Sequence, residues 1–367
     1  MKYFVKNNIK KFFRLFLAAI ILTSSLLFGC DRYGLHGYTE FSAFSGTPVI
    51  IYTVGTDITG ELLSRVETEF YSLNAEFSAT DKGSAVYGIN NSAAGEKTQI
   101  SERFKAIFNE CGYMRSFTQG KFDVAVYPLT ELWRFAPDFP AADFVPPEKN
   151  AVTDCLLSVG SDKFDVTDDF VSKTVDGAKL DFGGALKGYA AETVGKILKD
   201  AGAKGGYVSC GGSSHYLIST DTLSIVHPRK EGNIITVKEK LTDRAASTSG
   251  DYEKYYSYNG KTYSHIIDPT TGVTAETGIA SATVIAKNGL KSDALTTALC
   301  LFSHDPENHG SSELVIFLKG LALSDDFADA WYYVVYDDGQ YKQILTNKKQ
   351  GENFTLSDNS YTVYYIS

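Results

Sequence analysis

Three short segments carry most of the residues equipped for chemistry. In Asp181-Phe182-Gly183-Gly184-Ala185-Leu186-Lys187-Gly188-Tyr189 a glycine pair leads into an apolar-periodic run. Backbone N–H groups at such a bend, the positive end of a helix dipole and Lys187 in the first turn all favour an anion. The glycine spacing matches neither a Walker loop nor a dinucleotide fingerprint, and a tight turn with a solvated lysine fits the pattern equally well. In Ser292-Asp293-Ala294-Leu295-Thr296-Thr297-Ala298 a carboxylate and a hydroxyl stand four residues apart. On a helix Asp293 and Thr297 share one face. Such an oxygen-only pair suits Mg²⁺, which takes one or two protein carboxylates and completes its shell with water and substrate phosphates. The competing role is a helix N-cap at Ser292 or Asp293. The third segment, His265-Ile266-Ile267-Asp268-Pro269-Thr270-Thr271-Gly272, reads as a strand that puts His265 and Ile267 on one side before a turn. A histidine there is a candidate proton carrier. Upstream, Ala246 to Tyr252 reads as a hydroxyl-rich loop without the spacing of a hydrolase elbow.

These segments need a scaffold. Tyr38 to Val54 is rich in β-branched and aromatic residues and reads as strand, and Glu61 to Phe77 and Glu102 to Phe117 show helical spacing. The stretch from Ala136 to Lys149, with Pro137, Pro140, Pro146 and Pro147, reads as an irregular excursion. Lys179 to Phe182 reads as a strand, Gly183-Gly184 as a turn, and Leu186, Ala190, Val194, Ile197 and Ala201 lie on one helical face stopped by Gly202. Further strands are expected at 206–209, 224–226, 233–237, 262–267 and 281–286, a helix at 290–302, and a tail with a short helix and strands at 331–336 and 361–366. Strand runs with a few interspersed helices give an α+β class with mixed sheets and packed helices.

The chain has 367 residues with 35 Lys+Arg against 44 Asp+Glu, enough length for a large core and too acidic for a surface built to neutralise nucleic-acid phosphates. Basic residues concentrate at the start: Lys2, Lys6, Lys10, Lys11 and Arg14 precede the apolar run Leu15 to Leu22 and Leu27-Phe28-Gly29-Cys30. That run falls short of the roughly 20 residues of a spanning helix and fits a secretory signal. Leu27 to Cys30 resembles a bacterial lipobox, which implies cleavage before Cys30, lipidation of its thiol and a body outside the cytoplasm. The alternative is an uncleaved membrane anchor. Residues 1–29 are therefore read as signal, 30–37 as tether and 38–367 as the functional domain. Cys111, Cys155, Cys210 and Cys300 form no C-x-x-C pair; two disulfides or, preferably, core fillers are the readings.

In this order the segments resemble the ApbE family of flavin transferases, which move FMN from FAD onto a threonine of another protein. The resemblance spans roughly Phe41 to Phe302 and includes Ser45-Gly46-Thr47, Ser84 to Asn90, Gly120-Lys121-Phe122-Asp123 with Pro128-Leu129 and Trp133, and Cys210-Gly211-Gly212. It implies a single T-fold-related body and Mg²⁺ held by Asp293, Thr297 and the carbonyl of Gly184. It also implies FAD against Phe122, Asp123, Asp181, Lys187 and Ile267, with His265 beside the pyrophosphate as base or positioner. Acceptors would be flavin-bearing subunits of electron-transfer systems. The chain departs from the family with Ser45 in place of a common methionine, Thr80 in place of an aromatic residue and Ser213 in place of an acid. Two alternatives use the same site: an extracytoplasmic FAD pyrophosphatase giving FMN and AMP, and a lipoprotein that binds FAD without turning it over.

Overall fold

The strand Thr47–Val54 buries Val49, Ile51 and Thr53 in alternation, as a half-buried strand must. In the computed structural model, which describes residues 35–44, 46–136 and 144–366, it pairs antiparallel with His36–Ala43, so the single expected stretch is a hairpin. Gly46 in its turn has φ +108, a conformation that favours glycine. Ser45, Cys30 and the signal-like segment lie outside the described residues.

The strands in chain order are β1 (His36–Ala43), β2 (Thr47–Val54), β3 (Thr98–Gln99), β4 (Phe164–Val166), β5 (Phe170–Lys173), β6 (Gly205–Cys210), β7 (Ser214–Thr220), β8 (Leu223–Val226) and β9 (Asn233–Val237). They continue as β10 (Leu241–Gly250), β11 (Tyr255–Tyr258), β12 (Lys261–Ser264), β13 (Ile279–Ala286), β14 (Trp331–Asp337), β15 (Lys342–Thr346), β16 (Phe354–Leu356) and β17 (Thr362–Tyr365). The helices are α1 (Gly60–Phe77), α2 (Ala85–Asn91), α3 (Glu102–Phe117), α4 (Tyr127–Leu132), α5 (Lys149–Leu156), α6 (Leu186–Asp200), α7 (Gly289–Leu299) and α8 (Glu313–Leu321). Nine strands form one sheet in the order β1-β2-β6-β7-β10-β13-β14-β15-β17, antiparallel except for the parallel β15–β17 pair. The class is α+β with mixed sheets, and residues from His36 onward form one compact unit.

The sheet has two buried faces. Val208, Ala245, Ala282 and Val284 face the helices α1, α3, α6 and α7, whereas Leu217, Ala246, Ile285 and Tyr333 face the small sheet β16-β9-β8. This double burial explains why β13 is buried at every position and reads as a continuous apolar run. A third cluster, with Leu129, Trp133, Phe144, Val152 and Ile267, lies under the β11–β12 hairpin.

Three further expectations differ from the structure. Residues 179–182 join no strand ladder; the Asn90 side chain bonds the Leu180 N–H and carbonyl, and the Asp181 N–H donates to Val124. The hydroxyl-rich run is not a loop, because 246–250 lie in β10 between β7 and β13, where the sheet satisfies their backbone groups. The strand before His265 stops at Ser264, so strand alternation does not relate His265 to Ile267; Ile267 instead bridges Thr274. Cys111, Cys210 and Cys300 are buried thiols and Cys155 is half-buried, all four unpaired.

Candidate active site

Phe182 is clamped edge-on by Phe77 of α1 and Phe104 of α3, with ring centroids 5.0 and 5.8 Å away. Aromatic burial on both sides fixes the chain immediately before Gly183-Gly184. The Asp181 carboxylate accepts from the Gly183 N–H at 2.8 Å, which closes the bend, and the helix α6 begins at Leu186. A Cβ placed on Gly184 would lie 3.4 Å from the Phe122 ring and 3.5 Å from Thr297 Oγ1. The bend, Phe122 and the hydroxyl of Thr297 are therefore neighbours.

Asp293 lies in α7, whose N-cap is Asn288: its side-chain oxygen accepts from the Lys291 N–H. Neither Ser292 nor Asp293 caps the helix. Asp293 is buried, and its two oxygens accept from Ser214 Oγ and from the Gly188 N–H, each at 3.0 Å. A carboxylate oxygen has two lone-pair sites, so each retains capacity for a further partner. Helices α6 and α7 approach closely enough for this because both are glycine at the contact; a Cβ on Gly188 would lie 2.0 Å from the Gly289 carbonyl oxygen. Ser249 of β10 adds a third hydroxyl, 3.4 Å from Thr297 Oγ1 and 2.9 Å from Thr296 Oγ1.

The groups available to a metal here, the Asp293 carboxylate, the Thr297 hydroxyl and the Gly184 main chain, are all hard oxygens. Among the described residues no group of three or more His, Cys, Asp or Glu is arranged to hold a metal. A set this lean fits Mg²⁺, which keeps several of its own waters and substrate oxygens.

Lys187 lies along the same cleft, with Nζ donating to the Gly183 carbonyl at 3.1 Å and its stem beside Gly211. Desolvation pulls its ammonium down, but the carboxylates of Asp293, Glu253 and Asp181 outweigh it and hold Lys187 above the ordinary lysine range. Glu253, in the connection after β10, has its carboxyl raised by desolvation and the Asp293 charge against the opposing pull of Lys187 and Lys254. Burial raises the Asp181 carboxyl, and the Gly183 N–H, Lys187 and Lys254 work against it.

His265 is half-buried, with the Phe135 ring edge-on 6.4 Å away. Its Nδ1 is 3.1 Å from the Lys254 carbonyl oxygen. A carbonyl only accepts, so Nδ1 carries the proton and the Nε2 lone pair is free. Desolvation, with Lys254 and Lys187 adding repulsion, pulls the imidazole down to about 4 against the opposing pull of the Lys254 carbonyl. The His265 ring is thus neutral at physiological pH.

Asp123 does not offer its carboxylate to the cleft: it accepts from the Ala125 and Ser161 N–H groups and pairs with Arg115 Nε at 2.7 Å. Ile267 is buried in the cluster under the β11–β12 hairpin. Lys121 and Asp268 form an ion pair at 2.9 Å, and Trp133 Nε1 donates to the Gly272 carbonyl at 2.8 Å, so the Gly120–Asp123 and His265–Gly272 segments are fastened together. Sequence reasoning missed Ser214, Ser249, Glu253 and Lys254 as site residues. Ser249 stood in a run of hydroxyls that signalled only a turn, and nothing local marks the others: strand pairing brings in Ser214, and the connection after β10 brings in Glu253 and Lys254.

Comparison with known proteins gives one family. The ApbE family model matches residues 46–309. The FAD:protein FMN transferase of Salmonella typhimurium (strain LT2) is 26% identical over 357 residues, covering 91% of this chain and 99% of that protein. The protein of the same description from Escherichia coli (strain K12) is 25% identical over 353 residues, with the same coverage. The ApbE protein of Thermotoga maritima, in a crystal structure, is 26% identical with a TM-score of 0.69, covering 82% of this chain and 94% of that one. The apo flavinyl transferase ApbE of Pseudomonas stutzeri, at 22% identity, shares the fold with a TM-score of 0.68 over 88% of this chain and 93% of that one.

Proposed function

This chain belongs to the ApbE family, and we propose that it is an FAD:protein FMN transferase which moves FMN from FAD onto a threonine of an acceptor protein in a Mg²⁺-dependent reaction that releases AMP. The observation that carries this reading is the meeting of Thr297 Oγ1 with the Gly184 bend, beside Asp293 and Lys187. An oxygen-only donor set and a lysine at a glycine bend suit a dinucleotide pyrophosphate, which brings its own negative charge.

Asp293, Thr297 and the Gly184 carbonyl would hold the ion. When bound there, Mg²⁺ polarises a phosphoryl oxygen and neutralises developing charge. The chain's own residues supply the rest. Lys187, kept charged by the carboxylates around it, places fixed positive potential at the bend. The bend's glycines let a phosphate approach the main chain, and the Phe122 ring beside Gly184 walls that approach. His265 Nε2 accepts the proton of the acceptor threonine as its Oγ forms a bond to the FMN phosphorus; the bond from that phosphorus to the bridging oxygen breaks and AMP leaves with the oxygen. The low basicity of His265 keeps Nε2 free without a prior deprotonation.

The signal-like residues 1–29 and Cys30 support an anchored protein, lipidated at Cys30 and working on the extracytoplasmic face of the membrane on acceptors of electron-transfer systems.

The test is an AMP assay. The chain is incubated with FAD and Mg²⁺, with and without a protein bearing a flavinylation threonine. Release that needs the acceptor, together with a fluorescent acceptor band, is the expected result. Equal release without acceptor makes the protein a pyrophosphatase, and intact FAD in both tubes rejects turnover altogether.

A further inference from the structure

The connection between β10 and β11 is four residues long, Asp251 to Lys254, and it is fastened at both ends. At its far end the Lys254 carbonyl accepts from the His265 backbone N–H at 3.0 Å and from the His265 ring at 3.1 Å. At its near end Arg229 grips Asp251 in a two-pronged pair, with one guanidinium nitrogen 2.6 Å from Oδ1 and the other 2.8 Å from Oδ2. The Asp251 N–H also donates to the Ala280 carbonyl at 3.1 Å.

Arg229 is itself held from behind. It sits in the turn between β8 and β9, where its backbone N–H donates to His227 Nδ1 at 3.1 Å, and that ring reaches Asp358 through Nε2 at 3.1 Å. Its guanidinium also reaches the Asp337 carbonyl at 3.4 Å, and the Asp337 carboxylate accepts from the Tyr361 hydroxyl at 2.6 Å. Residues of the far face of the large sheet therefore reach the β10–β11 connection through one arginine. A fork of two parallel N–H donors on a carboxylate fixes direction as well as distance, which a lysine does not.

We propose that Arg229 is a positioning residue for His265: through Asp251 it sets the connection whose Lys254 carbonyl selects the Nδ1–H tautomer and leaves Nε2 toward the cleft. This rests on the reading of His265 as the proton acceptor in transfer. The selection matters because free neutral imidazole prefers its proton on Nε2, which would leave no lone pair for the acceptor hydroxyl. The charged groups that act on the ring are Lys254, which enters the clamp through its backbone carbonyl, and Lys187, which lies outside it; Phe135 is the aromatic neighbour.

The test uses the full chain in detergent with ¹⁵N-labelled histidine, and His265→Gln assigns the ring signals. In the native chain at pH 7 the His265 signals should be those of a neutral ring protonated on Nδ1. In Arg229→Lys, which keeps the charge and loses the fork, and in Asp251→Asn, which keeps the shape and loses the charge, they should move toward the Nε2–H form. In both variants kcat for FMN transfer should fall about tenfold with KM for FAD changed less than about threefold, as expected for loss of an oriented base rather than of binding. Two variants guard against one failing to fold. A folded variant of either kind that retains the Nδ1–H signals, or native kcat, overturns the proposal. The tautomer readout needs no flavin, so a native chain that shows the Nδ1–H ring and the variant shift but transfers no FMN refutes the transfer reading and not the clamp.

Discussion

The Gly188 N–H donates to Asp293 Oδ2 at 3.0 Å and the Gly289 N–H to Glu192 Oε2 at 2.6 Å, so the helix that follows the glycine bend and the helix that carries the carboxylate are locked together by bonds in both directions. The bonds exist because the helices cross at two glycines, Gly188 and Gly289. Packing at this crossing and geometry at the cleft are one and the same constraint.

Gly188→Ala tests that constraint. Its Cβ would meet the Gly289 carbonyl oxygen at 2.0 Å and the Asp293 Cβ at 2.9 Å, and backbone cannot move aside as a side-chain end does. Overpacking of this kind costs about 1–3 kcal/mol. Thermal denaturation should show a clear drop in midpoint, and FMN transfer should be lost even at temperatures where the variant is folded. Gly320→Ala, in α8 with open space at its Cβ, should show neither effect.

Asp293→Asn keeps the shape of the side chain and removes its charge. Turnover should vanish and Mg²⁺ titration should no longer restore activity after chelation, while circular dichroism stays native. Asp293→Ala should in addition leave Ser214 Oγ and the Gly188 N–H without their partner, at about 1–3 kcal/mol of stability. Normal turnover of either variant at low Mg²⁺ would remove Asp293 from the metal site.

His265 gives the protein a defined pH response. Its imidazole is held near 4 in the folded chain, below the roughly 6.5 of an unfolded histidine. The unfolded chain therefore takes up this proton first on acidification, so the stability contributed by neutral His265 is fully present above about pH 6.5 and is lost as pH falls toward 4. His215, which burial also pulls down to about 4, adds to the same window. Urea denaturation at pH 7.5 and pH 5 should show a smaller loss on acidification in His265→Asn than in the native chain. An equal loss in both would mean that His265 titrates normally.

Lys121→Met should loosen the His265–Gly272 segment without touching the bend. Lys121 pairs with Asp268 at 2.9 Å with both side chains largely shielded, and the pair, with Thr270 as a further donor, overcomes desolvation to hold the Asp268 carboxyl below its usual range. A lowered carboxyl contributes stability above its unfolded value, roughly 3.9, that disappears as pH falls through the folded one. At pH 7 the substitution should speed amide exchange across 265–272 and leave exchange at Gly183 and Gly184 unchanged; equal acceleration at both places would show that the loss is global.

The local segments were legible in the sequence because their chemistry is written at short range. Asp293 and Thr297 are a helical turn apart, Gly183-Gly184 precedes a helix with a clean apolar face, and Glu102–Phe117 has the bounds its spacing predicts. Spacing could not show that residues 179–182 avoid the sheet, since a short polar-apolar alternation such as Lys179-Leu180-Asp181-Phe182 looks the same whether a ladder or the Asn90 side chain satisfies its backbone. Nor could it mark Ala246 to Gly250 as strand, because Ser247, Thr248 and Ser249 lack the apolar alternation of a strand and are held there by pairing with β7 and β13.

Short-range patterns were enough for the α+β class, the helix faces and the candidate groups Lys187, His265, Asp293 and Thr297, since propensity and periodicity act over a few residues. Which of these groups meet was settled by the packing of distant segments. Ser214 reaches Asp293 across 79 positions of chain, Gly188 reaches it across 105, and Arg229 reaches Asp251 across 22. Such pairings arise from strand order and from the close crossing of two helices, and no short-range pattern of residue types encodes a distance between segments that the sheet alone brings together.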